Sequence, residues 1–370
     1  MHILHILNDI RKLGNGIINI AVDLACSQAE SGCTVAIASA GGEYEALLAQ
    51  SGVKHFYLDQ RRKPITLIKA ARDCQAMIQT FQPDIVHAHM MTGVVLARLL
   101  KMKFDYALVS TVHNEFQHSA ILMGLADRVI AVSHAVMESM QRRGIPAQKL
   151  RVVSNGTLGS PRQQPVASPV TLHRPAIATV AGMYRRKGIA ELITAFEQVA
   201  LDHTTAHLYL IGDGPDRAIF EAQAEKSAVS DRIHFEGFQP EPQGYLQSTD
   251  IFVLASHQEP FGLVLSEARE AGCAIVASQV DGIPEALDGG RAGILVPPAN
   301  PAALAEAIAQ LLQNYDWLNT WKCLAQENLE WLSIKRVNNE TLAVYSELIK
   351  PDINFSTTSD TRYRQIRNID

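Results

Sequence analysis

The chain has 370 residues, 47% of them hydrophobic and 19% charged, with a formal net charge of −5. That length favours two or more domains, and the acidic balance excludes a bulk electrostatic footprint for nucleic acid. The five cysteines form no C-x-x-C pair and no metal-ligand spacing, which fits reduced thiols in a cytoplasmic protein. No apolar stretch is long enough to span a bilayer, and MHILHILND reads as a first strand and not as a signal peptide.

In chain order, strand-length apolar runs alternate with helical patterns. Strands are expected at Ile3–Leu7, Val35–Ser39, Ile85–His89, Leu108–Val112 and Arg128–Val132, with helices at Ile17–Ser31, Leu67–Thr80 and Thr92–Lys101. Residues 155–175 are rich in Pro, Ser and Gln and read as a connection. The alternation then restarts with strands at Ala176–Ala181, Ala206–Ile211, Ile233–Glu236, Ile251–Ala255 and Ala274–Ser278. Helices fall near 188–201, 215–228 and 262–272. This order predicts an α/β protein of two doubly wound, Rossmann-like domains facing across a cleft. The domains are placed at 1–160 and 161–332, a helix at 333–350 packs back toward the first, and 351–370 reads as a disordered tail.

Ligands of such sheets sit at the carboxyl ends of the strands, so the residues of interest follow strands. "SHQEPFGLVLSEARE" (256–270) sets Glu259 and Glu267 on either side of a Pro-Gly turn and a helix start. Unpaired N–H groups and a partial positive charge at such a start suit a phosphate or a ring of hydroxyls. Arg185, Arg186 and Lys187 cluster at a strand end and suit a diphosphate, or form a solvated loop. Gly14 and Gly16 precede a helix, where backbone could approach a phosphate or simply turn. His113 follows a strand and either donates to a substrate oxygen or caps the next element. His87 and His89 share a strand end, but no third metal ligand is evident. Gly212 and Gly214 mimic a dinucleotide fingerprint without its third glycine. No D-x-D occurs, so no metal is expected. Arg61, Arg62, Lys63, Lys69 and Arg72, with Arg98, Lys101 and Lys103, form a basic set that is either a solvated face or a contact for anionic lipid.

The spacing Glu259-x7-Glu267, the stretch 281–308 (DGIPEAL…AEAI) and the stretch 126–157 (ADRVIAV…VVSNGT) together resemble the family-4 glycosyltransferases, retaining enzymes of the GT-B fold. The resemblance runs over roughly residues 3–349. It implies transfer of a sugar from a UDP-, GDP- or ADP-sugar to a glycan, lipid-linked or small-molecule acceptor, with no cofactor. It implies catalytic roles for His113, Arg186, Lys187 and Glu259. Donor contacts are implied for Gly16, for Gly237 and Phe238 at the base, for the backbone of Phe261, Gly262 and Leu263, and for Glu267 at the ribose. Peripheral contact with the inner face of a membrane is compatible with it. The chain departs from the family pattern where Met183 follows Gly182, where Thr157-Leu158 follows Asn155-Gly156, and where Asn15 sits in the glycine loop. The family usually carries Gly-Arg shortly before the Lys-Gly pair, and Arg185 or Arg186, with Arg186 preferred, is taken to supply that arginine. A sugar-nucleotide epimerase and a non-enzymatic binding scaffold share the architecture and stay open as alternatives. A two-domain NAD dehydrogenase lacks its fingerprint here.

Overall fold

A computed structural model describes residues 1–162 and 169–349. The tail expected at 351–370 lies outside the described residues. Val/Ile/Leu-rich runs buried on both faces form the strands, as a parallel sheet covered by helices on each side requires. The first sheet holds β1 (His2–Ile6), β2 (Thr34–Ser39), β3 (Lys54–Tyr57), β4 (Ile85–Ala88), β5 (Ala107–Val112), β6 (Arg128–Ala131) and β7 (Leu150–Val152), in the order 3-2-1-4-5-6-7. The second holds β8 (Ala176–Val180), β9 (His207–Ile211), β10 (Ile233–Gly237), β11 (Ile251–Leu254), β12 (Ala274–Ser278) and β13 (Ile294–Val296), in the order 10-9-8-11-12-13. Every strand pair is parallel.

Both orders reverse direction beside their first strand, between β1 and β4 and between β8 and β11. The connections leaving those neighbours diverge and open a crevice at the strands' carboxyl ends. The first sheet is covered by α1 (Gly16–Glu30), α2 (Glu45–Gln50), α3 (Pro64–Phe81), α4 (Met91–Leu100) and α5 (His134–Arg142). The second carries α6 (Ile189–Asp202), α7 (Arg217–Ala224), α8 (Gln243–Leu246), α9 (Leu263–Glu270), α10 (Ile283–Ala286), α11 (Pro301–Gln313) and α12 (Tyr315–Ala325). The last helix, α13 (Ile334–Ser346), returns to the first sheet and packs along α1, burying Ile334, Val337, Val344 and Tyr345 in that core.

The two halves touch at specific points. Glu285, on α10, accepts from the His134 and Ala135 amides at 2.7 and 3.4 Å, and so caps the start of α5 from the opposite half. Lys12 Nζ donates to Glu241 at 3.0 Å. Arg162 forks onto Asp23 of α1 at 2.7 and 2.8 Å, and the Ser160 hydroxyl donates to the same carboxylate. Burial works against the guanidinium charge, but Asp23 more than restores it, so Arg162 holds its proton more tightly than usual.

Candidate active site

A cleft of about 220 Å³ lies between the halves, at the ends of β1, β8, β9 and β10. The first half lends it Lys12, Leu13, Gly14, Gly16 and Asn19. The second lends Gly182, Asp213, Phe238, Leu263, Val264 and Glu267. Asn15 caps α1 by accepting from the Ile17 amide at 3.0 Å, which leaves the helix start facing the cleft. A Cβ on Gly16 would lie 2.8 Å from the tip of the Leu263 side chain, so the starts of α1 and α9 approach closely here. Phe238 is 44% exposed and free to stack on a planar ring.

From α9 the same cleft receives Glu267. Its carboxyl is enclosed by cleft walls with Arg162, Asp23 and Glu270 nearby. Burial pushes its pKa up to about 7; Arg162 opposes this while Asp23 and Glu270 add to it. The helix is held from behind by Arg269, whose buried guanidinium donates to the carbonyls of Ala325, Ala286 and Glu327 at 2.9, 2.7 and 2.6 Å. Gly262 opens α9 at φ +83°, and Phe261 is buried beside Trp331. The Phe261 ring is thus part of the core behind α9.

The second centre is the reversal point of the second sheet. The turn after β8 carries Lys187, and the turn after β11 carries Glu259. These strands are neighbours, so residues 72 apart in sequence form a partly buried ion pair, Lys187 Nζ to a Glu259 carboxylate oxygen. A Cβ on Gly188 (φ +67°) would fall 1.9 Å from the Ala255 carbonyl oxygen; glycine alone permits the approach that forms the pair. The Glu259 amide donates to Asp281 at 2.8 Å, and the Ser256 hydroxyl to the Glu259 carboxylate at 3.4 Å. Arg186 turns toward aromatic faces instead, 5.4 Å from Phe116 of the first half and 5.7 Å from Tyr184. Arg185 engages Asp216.

His113 leaves β5 half-buried, and its Nε2 lies 3.0 Å from His89 Nδ1. Burial drives its pKa down to about 3, so it is a neutral imidazole. The sequence showed no third partner for His87 and His89. Strand β1 supplies one: His5 pairs in register with His87, and the ligand atoms of the three lie within 4.8 Å of one another. Their ring nitrogens are engaged by each other and by Gln28, Tyr345 and Thr111, and we read the cluster as hydrogen-bonded.

Of the residues singled out from sequence, Gly16, Phe238, Leu263 and Glu267 share the cleft. Gly237, at φ +69°, ends β10 directly before Phe238. Lys187 and Glu259 form the neighbouring pair. Gly14 lines the cleft with Gly16, and Gly212 lines it from the end of β9, whereas Gly214 packs on Met183. Sequence reasoning missed Asp23, Arg162, Asp281 and Glu115. Glu115 is buried beside Phe116 with one carboxylate oxygen unpartnered among the described residues. Burial raises its pKa; Asp281 adds to this and Arg143 opposes it. A further cleft of about 570 Å³ lies wholly in the first half, lined by Asn8, Asp9, Arg11, Asp59, Arg61 and Arg62 among others.

The profile of the glycosyl transferases group 1 matches residues 174–314, and that of glycosyltransferase family 4 matches residues 14–157. The chain belongs to the family-4 glycosyltransferases, and its facing sheets form the GT-B fold. It is 28% identical over 260 residues to a glycogen synthase of Mycobacterium tuberculosis, an alignment covering 64% of this chain and 62% of the relative. It is 34% identical over 166 residues to the lipopolysaccharide core biosynthesis glycosyltransferase LpsD of Rhizobium meliloti, covering 44% and 47%. The alignments thus span about half to two thirds of those relatives' own length. HepE of Anabaena, solved with UDP-glucose, superposes with TM-score 0.76 at 20% identity, over 94% of this chain and 100% of that one. A sucrose-phosphate synthase of Thermosynechococcus elongatus gives TM-score 0.79 at 21% identity, over 94% and 99%.

Proposed function

We propose that the protein moves a sugar from a nucleoside-diphosphate sugar to an acceptor hydroxyl, with retention at the anomeric carbon and without a metal ion. The observation that carries this is the Lys187–Glu259 pair, set at the reversal point beside a cleft that ends in Glu267. In this reading the base lies on Phe238 beside Gly237, and Glu267 accepts both ribose hydroxyls. The diphosphate spans the starts of α1 and α9, against Gly16 and the amides of Phe261, Gly262 and Leu263. Lys187 gives up part of its bond to Glu259 and neutralises charge as it develops on the departing diphosphate. Glu259 then holds hydroxyls of the transferred sugar, with His113 on its other side. Arg186 leaves its aromatic stack to join Lys187 when donor is present. The acceptor hydroxyl approaches from the same face, and its proton passes to the leaving phosphate. HepE, solved with UDP-glucose, favours uridine among UDP-, GDP- and ADP-sugars.

The first half is assigned to the acceptor, whose polar groups would meet Asp9, Arg11, Asp59 and Arg61 in the second cleft. No helix among the described residues is long and apolar enough to cross a membrane. Instead α3 exposes Ile65 and Ile68 on the side that also carries Lys69 and Arg72, at helical spacing. With Lys63 this makes a face suited to the anionic inner surface of a membrane, where a lipid-linked acceptor would lie.

The test is thermal stabilisation of the purified protein by UDP-, GDP- and ADP-sugars, with and without magnesium. One donor should stabilise it in the absence of magnesium, and Glu267→Ala should abolish the shift. Lys187→Ala should leave donor binding largely intact and lower turnover by at least about a hundredfold. No shift with any donor, or a shift that needs magnesium, would overturn the reading.

A further inference from the structure

Four histidines of the first half, with Gln28, Tyr345 and Thr111, form one continuous hydrogen-bonded chain. His113 Nε2 meets His89 Nδ1 at 3.0 Å, His89 Nε2 meets His5 Nδ1 at 3.0 Å, and His5 Nε2 meets Gln28 Oε1 at 2.8 Å. Gln28 Nε2 then donates to the Tyr345 hydroxyl at 3.4 Å. The hydroxyl lies 2.6 Å from His87 Nδ1, and His87 Nε2 lies 2.7 Å from Thr111 Oγ1. His5, His87, His89, Gln28, Thr111 and Tyr345 are buried, whereas His113 is partly exposed.

A neutral imidazole carries one N–H and one lone pair. All four rings are held neutral by burial, His5 down to about 4, His113 to about 3, and His87 and His89 well below the ordinary value. In a row of such rings the polarity is all-or-none, because reversing one ring sets two hydrogens or two lone pairs against each other. The row therefore has two states, and the group at its inner end selects between them. That group is Gln28, which turns its carbonyl oxygen to His5 and its amide nitrogen to Tyr345.

We propose that Gln28 fixes the tautomer of His113, two imidazoles away, so that His113 presents a bare Nδ1 to the active site. Gln28 Oε1 accepts from His5 Nε2–H, which leaves His5 Nδ1 to accept from His89 Nε2–H. His89 Nδ1 in turn accepts from His113 Nε2–H, and His113 Nδ1 keeps its lone pair. On the other side of Gln28 the Tyr345 hydroxyl donates to His87 Nδ1, and His87 Nε2–H donates to Thr111. His113 then acts as a hydrogen-bond acceptor for a sugar hydroxyl, and not as the donor that its position after a strand suggested. Gln28 is a positioning residue, and α13 participates through Tyr345. The catalytic consequence rests on the placing of His113 beside the donor sugar; the tautomer assignment does not.

The experiment is a long-range ¹H–¹⁵N correlation spectrum of the full chain labelled at histidine, which reports the protonated nitrogen of each ring, with His113 assigned by its loss in His113→Ala. The wild type should show Nε2–H at His5, His89 and His113. In Gln28→Met, His5 Nε2 loses its acceptor, and an orphaned buried N–H is worse tolerated than an orphaned lone pair. The row should then reverse, moving the His113 proton to Nδ1. Donor kcat/KM should fall about tenfold, the scale of one hydrogen bond, and Gln28→Met should add nothing in a His113→Ala background. An unchanged His113 tautomer in Gln28→Met, or equal loss in both backgrounds, overturns the proposal. Should Gln28→Met fail to fold, the wild-type spectrum decides alone: a proton on His113 Nδ1 refutes it. Full activity in His113→Ala would overturn the placing of His113 at the sugar, while the spectra still judge the relay.

Discussion

Donor affinity should depend on pH through Glu267. Its carboxyl is pushed up to about 7, because burial outweighs the help of Arg162. A carboxylic acid has one oxygen that accepts well; a carboxylate has two, and two ribose hydroxyls need both. Donor binding therefore requires the ionised form. For a group at about 7, that form is roughly nine-tenths of the population at pH 8 and one-tenth at pH 6. The dissociation constant of a nucleoside-diphosphate sugar should rise about tenfold from pH 8 to pH 6, or about 1.4 kcal/mol. The diphosphate of such a donor stays ionised across this range, so the ligand contributes no slope. Isothermal titration at constant ionic strength measures the effect. Glu267→Gln should bind weakly at every pH and show no slope. Equal affinity at pH 6 and pH 8, or the same slope in Glu267→Gln, would remove Glu267 from the ribose site.

Acid should unfold the first half early. His5 and His113 have folded-state values lowered to about 4 and about 3. The stability gained by holding them neutral is complete above about pH 6.5 and is lost as pH falls toward those values. Each removes about 1.4 kcal/mol per pH unit in that window. Glu267, raised to about 7, regains about 1.4 per unit as it protonates, and Asp23, Glu115 and Glu270, raised by burial, oppose the loss in the same sense, while His87 and His89 add to it. The urea midpoint should drop between pH 6.5 and 5, and more steeply in Glu267→Gln; a flat or rising midpoint contradicts the neutral-histidine account. Separately, the protein should sediment with vesicles of anionic lipid at low salt, less so at high salt, and not at all as Ile65→Asp/Ile68→Asp. Failure of the wild type to sediment at low salt would dismiss α3 as a membrane face.

Strands buried on both faces are plain in the sequence because they read as unbroken apolar runs. The exceptions have a common cause. Strands β3 (KHFY), β7 (LRV) and β13 (ILV) are sheet edges, short and half-exposed, and they carry too few apolar residues to stand out. The register of His5 against His87 was equally hidden. A histidine within an apolar strand run signals a buried polar group, but its partner is set by which strand lies alongside.

The same limit governs the site. Glu259 and Glu267 are legible because one turn and one helix start carry both. Lys187 becomes meaningful only through the neighbourhood of β8 and β11, and Asp23 with Arg162 only through a contact spanning 139 residues. Arg186 shows what charge type leaves open. Three successive cations occupy one tight turn, and the turn aims each differently: Arg185 at Asp216, Arg186 at two aromatic rings, Lys187 at Glu259. The backbone decides which cation reaches the acid, and it does so at Gly188, whose missing Cβ admits the Ala255 carbonyl. Arg186 instead touches Phe116 of the opposite half, so its contact reports on closure between the sheets as much as on charge. A residue read as a substitute for an absent arginine is thus already engaged, and it can serve the diphosphate only by exchanging a cation–π contact for an ionic one. Under the proposed function that exchange would be favoured, because a diphosphate attracts a guanidinium more strongly than an aromatic face does.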